Sequence, residues 1–97
     1  MQNLGSLNIL RIPLQILWEF PNISTKIKED NFAFRRELLS WFNKYEHLVQ
    51  QDIRNQLAWA INHPDYDFNS ILKNVKTPNA DILEFFHFLL VATNYQD

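Results

Sequence analysis

With 97 residues, 46% of them apolar, and with eight Phe, three Trp and three Tyr, the chain has material for one folded core and is not a disordered polypeptide. It has no Cys, which excludes disulfides, thiolate nucleophiles and cysteine-held zinc, and one Gly, Gly5, which excludes Gly-rich phosphate loops and argues against a meander of tight β-turns. The net charge of −2 is uneven: residues 1–45 carry six Lys/Arg against four Asp/Glu (+2), residues 46–97 three against seven (−4), so neither half clusters the cations that a phosphate backbone requires.

No repeat, low-complexity tract or long linker divides the sequence, so residues 1–97 are read as a single domain. No basic leader follows Met1 and no run reaches about 18 apolar residues, so neither a secretory signal nor a membrane span is expected. A cytoplasmic location is the corresponding expectation.

Residues 6–20 are the ambiguous segment. Leu10, Leu14 and Leu17 fall at helical spacing and Ser6 is a possible cap, but Pro13 interrupts the pattern and removes a backbone donor. A helix from Pro13 to about Phe20, ahead of Pro21, is expected; a short strand over residues 7–12 is the alternative.

Residues 25–62 contain neither Gly nor Pro. Their apolar side chains recur in steps of three and four, from Phe34, Leu38, Trp41, Phe42 and Tyr45 through Leu48, Val49, Ile53, Leu57 and Ile61. Asp30 is a plausible cap, and a turn from Ser24 precedes it. One unbroken helix would be long for a small domain, so two helices with a bend between Asn43 and His47 are expected.

His63-Pro64 ends this region. Asp67 is placed to cap a short helix over residues 68–74, and Thr77-Pro78 supplies a cap followed by proline for a last helix over about 78–93. That helix carries Ile82, Leu83, Phe85, Phe86, Leu89 and Val91, apolar on nearly every side, and should be the central one. The reading is an all-α fold, a small bundle of four to five helices.

No catalytic, metal or cofactor constellation stands out. Glu84 and His87 are three apart, as in the Glu-x-x-His motif of di-iron bundles, but no second copy exists; with Asp81 they mark the helix's solvent strip. His47, His63 and His87 show no spacing that suggests a triad. As a helix-turn-helix, residues 31–62 would present Arg35 and Arg36, yet the second helix carries only Arg54 alongside Asp52, too few bases for recognition.

The anomaly is Trp59. It lies about 200° around the helix from Leu57 and shares its face with Asp52, Asn55, Gln56, Asn62 and His63. It either packs against the N-terminal segment or anchors a partner. From Asn55 to Leu72 there is no Lys or Arg, while Asp65, Tyr66, Asp67 and Phe68 follow the helix end. Asp52, Trp59, Asp65, Tyr66 and Asp67 are therefore the candidate partner-binding residues, forming an acidic, aromatic strip suited to a basic protein. The plainer reading makes Asp67 a cap and Tyr66 and Phe68 core plugs.

Ala60-Ile61-Asn62-His63-Pro64-Asp65-Tyr66 resembles small helical bacterial immunity proteins, of the colicin-nuclease or contact-dependent inhibition class, in which a helix ending in His-Pro is followed by a toxin-contacting segment. The likeness covers seven of 97 residues, and the chain departs in having one Tyr where that family has a neighbouring pair and in being less acidic. It implies a toxin inhibitor, an antitoxin working by protein–protein contact, with a basic toxin domain as partner. A helical adaptor or assembly subunit is the alternative; a helix-turn-helix regulator or small enzyme stands further off.

Overall fold

A computed structural model describes residues 7–29 and 31–94, and every regular element among them is helical. A 3-10 turn at Leu7–Leu10 leads into α1 (Arg11–Leu14), α2 (Ile16–Glu19), α3 (Ile23–Glu29), α4 (Asn31–Phe42) and α5 (His47–Ile61). A second 3-10 turn, Phe68–Ser70, precedes α6 (Asn79–Asn94). With α1 and α2 taken as one bent segment, the described residues form a bundle of five helices.

The core follows the periodicity. Leu14, Leu17, Ile23, Phe34, Phe42, Ile53, Leu57 and Phe68 join Ile82, Phe85, Phe86 and Leu89 in one buried cluster. α6 packs against α3, α4 and α5, which is why its apolar residues cover so much of its circumference. Its outward strip is Glu84, His87 and Val91, at steps of three and four, with Glu84 half-buried and the other two exposed. Each fully buried Leu, Ile or Phe contributes about 1.5–3 kcal/mol.

The bend falls where expected. α4 ends at Phe42, Lys44 and Tyr45 make tightened bonds to the carbonyls of Trp41 and Phe42, and Glu46 is extended at φ −61° and ψ 154°. The break carries Leu48 off the predicted stripe: five residues from Ile53, it lies about 140° around α5 and is 75% exposed.

Three local expectations are corrected. The N-terminal segment is helical from Leu7, neither a strand nor a helix beginning at Pro13. Pro13 is tolerated inside it because it is the third residue of α1, within the first turn, whose N–H groups lack α-helical partners anyway. Residues 68–74 hold one 3-10 turn and no longer helix. Asn69 Nδ2 donates to the carbonyls of Val75 (2.9 Å) and Thr77 (3.0 Å), and Asn74 adopts φ 69°, a left-handed geometry that Asn accepts more readily than most residues. Finally, Thr77 does not spend its hydroxyl on capping α6; Oγ1 donates to the Pro21 carbonyl at 3.1 Å. The proposed caps Ser6 and Asp30 lie outside the described residues.

The connection between α5 and α6 is strapped to the N-terminal helices. Arg11 Nε donates to the Ile71 carbonyl at 3.0 Å, and Trp18 Nε1 donates to that of Lys73 at 3.1 Å. Together with Thr77 they tie residues 71–77 at three points. Among the described residues, no helix is long and apolar enough to cross a membrane.

Candidate functional site

The site begins at the last turn of α5. Its terminal carbonyls are satisfied locally: the Asn62 and His63 N–H groups donate to Trp59 and Ala60, and Asn62 Nδ2 donates to Ala58 at 3.0 Å. Pro64 has no N–H and cannot extend the helix, so the chain turns outward, closed by the Tyr66 N–H on the His63 carbonyl at 3.1 Å.

Trp59 and His63, four apart, face each other on the helix surface. Their rings stack at 3.9 Å and 10°, and His63 Nδ1 bonds the Trp59 carbonyl at 2.7 Å. A carbonyl only accepts, so Nδ1 carries the proton and donates, which leaves Nε2 as the acceptor of the neutral ring. Tyr66 also meets Trp59, edge to face at 5.6 Å.

The rings continue inward. Tyr66 lies 5.1 Å from Phe68, and Phe68 meets Phe86 of α6 edge-on at 5.5 Å. Phe68 and Phe86 are fully buried, Trp59 is half-buried against the core and Tyr66 is 37% exposed. An aromatic ladder thus runs from the centre of the bundle to its surface. Offset and edge-to-face pairs of this kind add about 0.5–1.5 kcal/mol each beyond their buried area.

The backbone beside the ladder is held by one side chain. Asn79, the first residue of α6, donates through Nδ2 to the carbonyls of Pro64 (3.2 Å) and Tyr66 (2.9 Å). Its Oδ1 accepts the Phe68 N–H at 3.0 Å. Ser70 adds Oγ and N–H bonds to the Asp67 carbonyl, at 2.7 and 3.1 Å.

The carboxylates flank the ladder. Asp65 and Asp67 are exposed, and the Asp67 side chain makes no capping bond although its residue occupies the cap position. Among the described residues neither is engaged by a cation. Asp52 is half-buried on the same side of α5 as Trp59, two turns earlier and about 10 Å along the axis. The fold therefore brings Trp59, Asp65, Tyr66 and Asp67 together at one end of α5 and leaves Asp52 at the rim.

His63 was placed on the face of Trp59 by the sequence but not among the candidate binding residues, and Asn79 did not stand out at all. His63 had a usable signal, its i, i+4 spacing from Trp59; Asn79 had none, because its partners lie 11 to 15 residues away. Glu84 and His87 point along the outer strip of α6, and no three His, Asp or Glu among the described residues gather as metal ligands. Arg54, the one Lys or Arg of α5, donates to the Thr93 carbonyl at 3.4 Å, where a cation favours the C-terminal end of α6.

No protein-family model, curated protein or solved structure matches this chain.

Proposed function

We propose that the chain is a protein-binding inhibitor of the immunity type, acting in the bacterial cytoplasm. Its acidic, aromatic face docks on a basic toxin domain and covers that domain's active or substrate-binding surface. It works by occupancy rather than by catalysis.

The observation that carries this reading is the exposure of Asp65, Tyr66 and Asp67 on a connection that is nevertheless pinned by Asn79 and backed by the Trp59–His63 stack. A binding segment already ordered before encounter loses little freedom on association. Tyr and Trp are the side chains that most often anchor interfaces, and carboxylates without internal partners steer a cationic protein toward them.

The test is to express the product of the neighbouring gene with and without this chain. Protection of the host from that product's toxicity, and a stoichiometric complex that Tyr66→Ala weakens, is the expected result. Absence of both protection and a complex would reject the assignment.

A further inference from the structure

A groove separate from the acidic face opens between α1–α2 and α4. It encloses about 400 Å³, is open to solvent along one side, and shares no residue with the Trp59 site. That volume is at the small end of the range for pockets that hold small organic ligands. Its walls are aromatic, from Trp18, Phe20, Phe34 and Trp41, with Ile16 and Leu38 completing the apolar lining.

The walls are fixed in place. Trp18 is 49% exposed, yet its indole N–H is committed to the Lys73 carbonyl. Trp41 rests edge-on against Tyr45 at 5.6 Å. Phe34 is held between Phe20 at 5.6 Å and Phe88 at 5.9 Å. A ligand entering the groove has little to reorganise.

The charge at the groove is mostly of one sign, with two carboxylates in its lining and one ammonium over two of its walls. Its ionisable lining residues are Glu19 and Glu37, both exposed and, among the described residues, with no cationic partner. The nearby Lys26 is over the rings of Phe20 and Phe34, at 5.4 and 5.9 Å from their centroids. Indole faces themselves attract cations.

We propose that this groove binds a small hydrophobic amine, its apolar body between the Trp18 and Trp41 walls and its ammonium group shared by Glu19 and Glu37. The complementarity is specific in sign. An apolar acid of the same shape would bring its carboxylate against two like charges.

The test uses phenylbutylamine and phenylbutyrate, which have the same ring and chain with opposite charge, titrated into the whole protein. The three indole N–H resonances in proton–nitrogen spectra report on location, since Trp18 and Trp41 line the groove and Trp59 belongs to the other face. The amine is expected to shift Trp18 and Trp41 saturably, with Kd on the order of 0.1–1 mM for a ligand of this size. It should bind at least about tenfold more tightly than the acid, and the double substitution Glu19→Gln, Glu37→Gln should lose about tenfold, as for two exposed charges. Those positions are exposed, so the fold should survive, and an unchanged melting temperature verifies it. Equal binding of both probes, shifts confined to Trp59, no saturation at millimolar amine, or full affinity in the double variant would each overturn the proposal.

Discussion

The imidazole of His63 lies flat on the indole of Trp59, ring centroids 3.9 Å apart, while its Nδ1 holds the Trp59 backbone carbonyl at 2.7 Å. One residue therefore closes the end of α5 twice, through its ring face and through its ring nitrogen. Long-range proton–nitrogen correlation spectra of the neutral histidine should show the Nδ1–H tautomer, because only a protonated Nδ1 donates to a carbonyl. A dominant Nε2–H form would contradict this geometry.

Substitutions of Tyr66 and Trp59 should each show in stability as well as in binding. Trp59 is half-buried against the core, so Trp59→Ala is expected to cost roughly half of the ~3–5 kcal/mol of a fully packed aromatic in stability, besides any effect on binding. Tyr66 is 37% exposed but forms two ring pairs, with Trp59 and Phe68, so Tyr66→Ala should cost about 1–3 kcal/mol of stability and, separately, about 2 kcal/mol of affinity for a cognate partner. Denaturant titrations run beside binding measurements check both.

Asn79→Ala should release the connection from α6. Three hydrogen bonds at about 0.5–1.5 kcal/mol each imply a loss of roughly 1.5–4.5 kcal/mol. Hydrogen exchange is the sharper readout: the Phe68 amide, protected by Asn79 Oδ1, should exchange much faster, with α5 amides changing less. Unchanged protection at Phe68 would mean that Asn79 does not hold the segment.

Asp65→Asn and Asp67→Asn are isosteric and exposed, so stability should move by no more than about 0.5 kcal/mol. Toward a basic partner they should slow association and flatten its salt dependence, with dissociation nearly unaffected, because rim charges act mainly on encounter. Stopped-flow measurements at two ionic strengths distinguish these outcomes.

Phe86→Ala should cost about 3–5 kcal/mol, since Phe86 is fully buried and packs against both Phe68 and Phe85. Leu48→Ala, at 75% exposure, should cost less than about 0.5 kcal/mol. Chemical denaturation of the pair checks whether the bend between α4 and α5 moves Leu48 out of the core.

What the residue pattern determined by itself is the helical class and the central placement of α6. Apolar spacing of three and four selects a helix, and a helix apolar on almost every side has to be surrounded. The bend after Phe42 was legible only as a limit on helix length, with no breaker residue to locate it. The face carrying Trp59 was legible as well, because helical phase alone separates Trp59 from Leu57. What only tertiary structure decided is how the polar side chains of the connections were used. Thr77 and Asn79 are both good helix-start residues, yet Thr77 bonds Pro21 across 56 positions and Asn79 bonds back to residues 64–68. Local propensity ranks the hydrogen bonds a side chain makes with its own neighbours. It cannot weigh them against the carbonyls that packing brings to about 2.9–3.2 Å from elsewhere in the chain.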